Sequence, residues 1–371
     1  MEIVISGYYG FDNVGDEAIL LSIIQGLKKD FPSISITVLS NQPKKTAALY
    51  KVKAVNRWKL KEVIQAIKTA DGVISGGGGL LQDKTGSTTV LYYCGIMWLA
   101  HLLKKPFFVY AQGIGPIQRK WNQKITAWTL GKASLLTVRD ENSKNYLKSF
   151  GVKKEIAVVP DPVVGMRVED KTPCRWMKTI PNEKPYLTAT VRYWLDHKNY
   201  LTHIAKGLSL YAEQGFPVVL IPMHGEDDLH CSQEVKQMMT KEAQGNTYIA
   251  PHEISIQEKI NIIAHSELLV GMRLHSLIFA AINKVPFLSI SYDPKVESFS
   301  SLCGQQVIGR VDSNSWSWES LMKEIDEYMV RKPLLKSKLV SYTEEAVKKA
   351  DYTCISVLKH LVQAKVKYKL Q

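Results

Sequence analysis

The chain has 371 residues, 45% of them hydrophobic and 22% charged, with 23 glycines and 15 prolines scattered along it. That length and apolar content suit two domains with buried cores and exclude disordered, collagen-like and low-complexity classes. The net charge of +13 would usually signal a nucleic-acid or anionic-membrane partner, but it is concentrated in two segments.

Residues 44–68 carry eight basic residues against Glu62 alone, a net of +7. Residues 331–371 carry ten against Glu344, Glu345 and Asp351, again +7, so the remaining 305 residues are close to neutral. A neutral body with two basic patches is unlike a uniformly basic nucleic-acid binder. Only Tyr50 and Trp58 interleave the first patch with aromatics, so no nucleic-acid partner is expected.

Apolar runs bounded by Gly or Pro alternate with amphipathic stretches along the whole chain. In the first half they predict strands at Ile3–Ser6, Ile36–Leu39, Gly72–Ser75, Phe107–Ala111, Leu135–Val138 and Ile156–Val159. Helices are predicted between them, among others at Asp16–Asp30, Lys59–Ala70 and Asn142–Phe150. In the second half strands are predicted at Tyr186–Val191, Val218–Pro222, Thr247–Ala250, Leu268–Gly271 and Pro286–Ser291. Helices there cover 198–214, 255–265, 273–283 and 316–330, and a long basic helix covers 341–366. Strand–helix alternation with short apolar strands predicts α/β architecture with parallel sheets.

The polar, proline-containing stretch between Val164 and Pro185 is the expected linker. The predicted organisation is a Rossmann-like domain over 1–170, a linker over 171–185, a second Rossmann-like domain over 186–340 and a basic C-terminal helix over 341–371. Two such halves would face each other across a cleft at the carboxyl ends of their strands.

Five cysteines, odd in number and without a CxxC, predict neither a disulfide framework nor a zinc site, and a reducing cytoplasm is the default compartment. The nine histidines include no HExxH, and no metal is expected. The opening MEIVISGYYG reads as a strand rather than a secretory leader. The longest apolar run, Leu91–Leu103, is 13 residues, short of the roughly 20 needed to span a bilayer.

Several strand ends carry loops suited to chemistry. After the first strand comes Gly7–Asp16, with Asn13, Gly15 and Asp16 opening a helix whose N-terminus can face an anion or a sugar hydroxyl; the plainer reading makes Asp16 the helix cap. Gly76–Gly79, with Gly77 and Gly78 at its centre, is a run of four glycines that packing alone does not account for. In the turn Gln112–Pro116, Gln112 is the one plausible ligand contact. Arg139 ends a strand and either pairs with Asp140 or Glu141 or clamps an anion.

Gly271-Met-Arg273-Leu274-His275 is the strongest constellation, with an arginine and a histidine at the start of an apolar helix. Cationic side chains there oppose the helix dipole and make sense if an anion occupies the site. Lys295, just past the next strand, is placed to join it, and Arg192, His224 and Asp161 are lesser candidates. These residues read as a cleft enzyme with a cationic pocket, without naming the reaction.

Together, GYYGFDNVGDEAIL, GGGGLLQD, AQGIGP, TVRDENS, DPV, GMRLHSLIFA and YDPKV occur in an order that resembles the polysaccharide pyruvyltransferase family. The likeness is closest to the CsaB-type enzymes of Gram-positive cell-wall assembly and runs from about Met1 to Lys295. The resemblance implies a GT-B-like fold, in which the last helix commonly crosses back to the first domain. It implies transfer of pyruvate from phosphoenolpyruvate, a co-substrate rather than a cofactor, to a sugar as a 4,6-ketal. The implied acceptor is N-acetylmannosamine on a polyprenyl-diphosphate-linked ManNAc–GlcNAc disaccharide, for secondary cell-wall polymer synthesis and S-layer anchoring.

The family's donor site falls on Arg139, Arg273, Leu274 and His275, with Lys295 as an accompanying cation. His275 is the expected proton donor, with Arg273 beside it in the catalytic group. Asp16 is expected to orient or deprotonate the sugar hydroxyl, and Asn13, Gly15, Gly77, Gly78, Gln112, Arg192 and His224 form the expected acceptor side. A lipid-linked acceptor implies a cytoplasmic protein held on the inner face of the cell membrane through residues 44–68 and 331–371. The competing reading on the same fold is a nucleotide-sugar glycosyltransferase.

Overall fold

The computed structural model describes every residue except 84, 85, 87, 169–171, 182–184, 195–197, 314, 370 and 371, and the side chains of 364–369. The chain divides into two compact units: Met1–Arg167 with Ala346–Gln371, and Val168–Glu345. Of the expected linker, 171 and 182–184 lie outside the described residues, and a short 3-10 helix, Arg175–Thr179, lies between them.

The first unit holds an eight-stranded sheet of β1 (Glu2–Ser6), β2 (Ser35–Ser40), β3 (Lys53–Asn56), β4 (Gly72–Ser75), β5 (Gly78–Leu81), β6 (Phe107–Ile114), β7 (Leu135–Val138) and β8 (Ala157–Val158). Its order is β3-β2-β1-β4-β6-β7-β8, with β5 also paired to β6, and every pairing is parallel. Parallel strands are buried on both faces, which is why their sequences are nearly all apolar. On one face Val4, Val73 and Val109 pack with Val63, Ile67, Tyr93, Met97 and Leu130 from the crossover helices. The other side takes helix Val14–Asp30, through Ile19, Leu20, Ile23 and Leu27, and the end of the C-terminal helix.

The second unit holds β9 (Leu187–Thr190), β10 (Val218–Leu220), β11 (Thr247–Ile249), β12 (Leu268–Gly271), β13 (Phe287–Ser291) and β14 (Val307–Arg310). Their order is β11-β10-β9-β12-β13-β14, again parallel throughout. Both sheets therefore reverse direction once, between β1 and β4 and between β9 and β12. In open α/β sheets that reversal opens a crevice at the carboxyl ends of the two strands, where ligands bind. The loops that begin at Gly7, Gly76, Val191 and Met272 are the four that these reversals bring forward.

Three strands have no counterpart in the sequence-based expectation. β3 (KAVN) and β14 (VIGR) are half-buried sheet edges whose polar residues hide the pattern, and β5 lies inside the glycine run. Two helices expected at 316–330 and 341–366 are one, Trp318–Lys369, which continues through Pro333. Proline inside a helix removes one hydrogen bond and disfavours it by about 3 kcal/mol. A buried stripe at Leu321, Ile325, Tyr328, Leu335 and Leu339 in the second unit, then Ala346, Ala350, Cys354, Val357 and Leu361 in the first, outweighs that cost. The C-terminal part is thus built into the first unit, where Cys354 lies beside Tyr110 and Lys29 pairs with Asp351 at 2.6 Å. Among the described residues, no helix is long and apolar enough to cross a membrane.

Candidate active site

In the first unit, the loop after β1 turns over Tyr9, which is fully buried. Asn13, not Asp16, caps the following helix, its Oδ1 accepting from Gly15 N at 3.0 Å. Asp16 is thereby released from the capping role and sits in the first helical turn beside Glu17. Glu17 Oε1 accepts from Gly10 N at 2.7 Å and closes the loop.

The glycine run has a packing explanation after all. A methyl on Gly76 would overlap the buried Tyr9 hydroxyl, and one on Gly77 would press on Ile19 at 3.1 Å. Gly78 has φ +91°, and a Cβ there would stand 2.7 Å from Asp16 Oδ1. Glycine at 78 thus lets the Asp16 carboxylate lie against the backbone, joining the first and second motif loops. Only Gly79 has open space around it.

Gln112 does not present its side chain as a ligand contact. It is fully buried, and its Nε2 donates to Ser75 Oγ at 2.7 Å and to Gly76 O at 3.0 Å, which fixes the end of β4 and the start of the glycine run. Arg139 lies between two carboxylates of its own unit, 3.6 Å from Asp140 and 3.7 Å from Asp161. Asp161 is itself a cap, accepting from Val163 N at 3.1 Å. Arg139 is thus paired with Asp140, the plainer of its two alternatives, and with Asp161 as well.

In the second unit, β12 ends at Gly271, and Arg273 is the residue before helix Leu274–Ile282 rather than part of its first turn. His275 is the second residue of that helix. The Arg273 guanidinium makes a two-pronged pair with Asp228, whose side chain is 2% exposed; Nε donates to Oδ2 at 2.9 Å and Nη2 to Oδ1. Asp228 Oδ2 also accepts from Met223 N at 3.1 Å, so one buried carboxylate ties Arg273 to the loop after β10. That loop is held again by Lys259, buried, whose Nζ donates to Pro222 O at 2.6 Å and His252 O at 2.9 Å. Burial pushes the Lys259 amine down to about 8.

Arg192, His224 and Lys295 gather around the same end of the sheet. Arg192 lies over the rings of Tyr292 at 4.5 Å and Trp194 at 4.8 Å, and Lys295 lies 5.6 Å from the Tyr292 ring. Burial pushes the Tyr292 phenol up, but the charges of Lys295, Arg192 and Arg273 outweigh it and hold the group below the usual tyrosine value. Burial, then the Arg273 charge, lowers His224, against the pull of Asp228 and Asp227. Beyond burial, Arg192 and Arg273 act on both groups, and Lys295 on Tyr292 as well. Arg192 and His224, expected on the acceptor side, belong to this cluster with Arg273, whereas Asn13, Gly15, Asp16 and Arg139 belong to the first unit.

Asp228, Lys259 and Tyr292 do not stand out in the sequence because their roles depend on distant partners: Arg273 is 45 residues from Asp228, Pro222 37 from Lys259 and Arg192 100 from Tyr292. Arg57, counted in a basic surface run, is buried beside the Gly7 loop. Among the described residues, no three His, Cys, Asp or Glu are grouped to hold a metal ion.

Two Rossmann-like parallel sheets, one ending in a cationic cluster at a helix start, define an α/β protein with the kind of sheets that GT-B transferases carry. A family model described as polysaccharide pyruvyl transferase matches residues 13–294, and the chain belongs to that family of pyruvyltransferases. It is 20% identical to the amylovoran biosynthesis protein AmsJ of Erwinia amylovora, over 92% of this chain and 98% of that protein. In fold it resembles the UDP-GlcNAc 2-epimerase of Neisseria meningitidis (TM-score 0.64, 12% identity, 98% of this chain and 100% of that one). It also resembles the E. coli ADP-heptose lps heptosyltransferase II (TM-score 0.55, 14% identity, 90% and 100%).

Proposed function

We propose that the protein transfers pyruvate from phosphoenolpyruvate to a sugar as a 4,6-ketal, on the N-acetylmannosamine of a polyprenyl-diphosphate-linked ManNAc–GlcNAc disaccharide. The product would enter a secondary cell-wall polymer that anchors an S-layer. The observation that carries the reading is the grouping of cations in the second unit, with Arg192 4.5 Å and Lys295 5.6 Å from the Tyr292 ring and Arg273 at the start of helix Leu274–Ile282. Phosphoenolpyruvate brings a carboxylate and a phosphate, and two anionic groups call for several cations in one place.

In this reading His275 gives a proton to the methylene carbon, which becomes the methyl group and leaves the central carbon electrophilic. A sugar hydroxyl adds there and loses its proton, with Asp16 as the acceptor-side carboxylate. The C–O bond to phosphate breaks, the second hydroxyl closes the ketal, and its proton leaves with the phosphate. Each proton transfer needs a group within hydrogen-bond reach and typically contributes about 10²–10⁴-fold. The test is phosphate release from phosphoenolpyruvate with and without a short-chain ManNAc–GlcNAc diphosphate lipid. Release that depends on the acceptor and is lost in His275→Ala is expected; acceptor-independent release, or turnover of a UDP-sugar instead, overturns the assignment.

We also propose that the basic segments hold the protein on an anionic membrane where a lipid-linked acceptor resides. Seven lysines of 44–68 are exposed, as are Arg331, Lys336, Lys338, Lys348, Lys349 and Lys359 on the long helix. Each basic side chain near such a surface adds about 1 kcal/mol. Flotation with vesicles containing phosphatidylglycerol should be lost at high salt and when Lys348, Lys349 and Lys359 become Gln. Equal flotation of that variant and the native chain overturns docking through the helix.

A further inference from the structure

We propose that Tyr8 and Trp58 form a stacking platform for a pyranose ring of the acceptor, in the first unit next to the Asp16 loop. The inference rests on the acceptor being a saccharide, as the proposed function has it, and adds the residues that would hold its ring.

The platform is built on three adjacent strand ends. Tyr8 and Phe11 follow β1, Asn41 follows β2, and Arg57 and Trp58 follow β3. Arg57 is 5% exposed, and among the described residues no carboxylate lies within ion-pair distance of it. Its Nη1 donates to Gly7 O at 2.8 Å and its Nη2 to Tyr93 Oη at 3.3 Å. Its guanidinium carbon stands 4.4 Å from the Tyr92 ring, 5.1 Å from Trp58, 5.3 Å from Phe11 and 5.6 Å from Tyr93. Burying a guanidinium without a counter-charge is costly, and facing aromatic rings offset that cost only in part. There it holds four aromatic rings and the first carbonyl of the motif loop together.

Tyr8 and Trp58 remain exposed at 37% and 63%, yet neither is loose. Trp58 Nε1 donates to Asn41 Oδ1 at 2.9 Å, and its backbone N to Asn56 Oδ1 at 2.9 Å. Tyr8 stacks on Phe11 with centroids 4.1 Å apart and planes within 7°. Exposed aromatics locked in one orientation are preorganised to bind, because little entropy remains to be lost when a ligand arrives. The Tyr8 phenol is pushed up by burial and then by the Asp16 charge, with Arg57 opposing.

The surroundings suit a sugar ring. A pyranose offers an apolar C–H face to a ring and a rim of hydroxyls to a carboxylate such as Asp16.

The test uses the full chain with Trp58→Ala, Trp58→Phe and Tyr8→Ala. Binding of the methyl glycosides of N-acetylmannosamine and N-acetylglucosamine is followed by saturation-transfer NMR, and phosphoenolpyruvate affinity is followed separately. Loss of a stacking aromatic should weaken saccharide binding and raise the acceptor KM by about tenfold or more, as for aromatic anchors elsewhere. Trp58→Phe should recover most of it, and phosphoenolpyruvate affinity should stay unchanged. Saccharide affinity and acceptor KM equal to the native chain in both alanine variants would overturn the platform, even with pyruvyl transfer intact. Trp58-dependent saccharide binding without acceptor-dependent phosphate release would uphold the platform and sink the proposed reaction.

Discussion

Arg273→Ala should lower kcat/KM for phosphoenolpyruvate by about a thousandfold, and Arg273→Lys should recover only a small part of the loss. The guanidinium is held by Asp228 through two donors and stands where helix Leu274–Ile282 begins. In the proposed reaction the free N–H groups of a helix start and a fixed cation would together meet the charge that develops on phosphate as it leaves. Because the arginine is already oriented, no reorganisation is needed during the reaction. Lysine has the charge but not the fork, so it cannot keep the pair with Asp228 and serve the donor with its remaining N–H groups. The measurement is steady-state phosphate release, with thermal melting as a control for folding. A loss of less than about tenfold in a folded Arg273→Ala protein would remove Arg273 from the donor site.

How much of this was legible in the sequence follows from the range of the interactions. Gly271, Arg273 and His275 could be placed because a strand end and a helix start are local patterns. Their ordering field could not, since Asp228 and Tyr292 enter through contacts between loops on neighbouring strands. Arg57 shows the same limit from the other side. Its neighbours in sequence are lysines and the exposed Trp58, so it reads as surface charge. It is buried because Tyr92 and Tyr93, 35 and 36 residues further on, close over it. The glycine run reads as a ligand loop in sequence because no local pattern reveals Tyr9, which lies beneath it and leaves no room for a methyl at position 76. Gln112 likewise reads as a contact at a turn, whereas the strand runs on to Ile114 and turns it inward.

Asp228→Ala should be the most destabilising single change in the second unit that leaves its hydrophobic core untouched. Its side chain is 2% exposed, and that of Arg273 is 13% exposed, so removing the carboxylate strands a guanidinium largely out of water. Breaking a buried pair in this way costs about 3–5 kcal/mol, because the remaining charge is neither solvated nor matched. Met223 N also loses its acceptor, which loosens the loop that carries His224. For a unit of this size the melting transition should fall by about 10 °C. Asp228→Asn separates charge from shape, since it keeps an acceptor for Met223 and removes only the negative charge. His224 already lies below the usual imidazole value through burial and Arg273, with Asp228 pulling the other way. Removing that charge should lower its midpoint further, so that His224 stays neutral to a more acidic pH. A histidine NMR titration reads this directly. A rise in the midpoint, or an Asp228→Ala protein melting within about 1 °C of the native chain, would show that the pair does not organise the cluster.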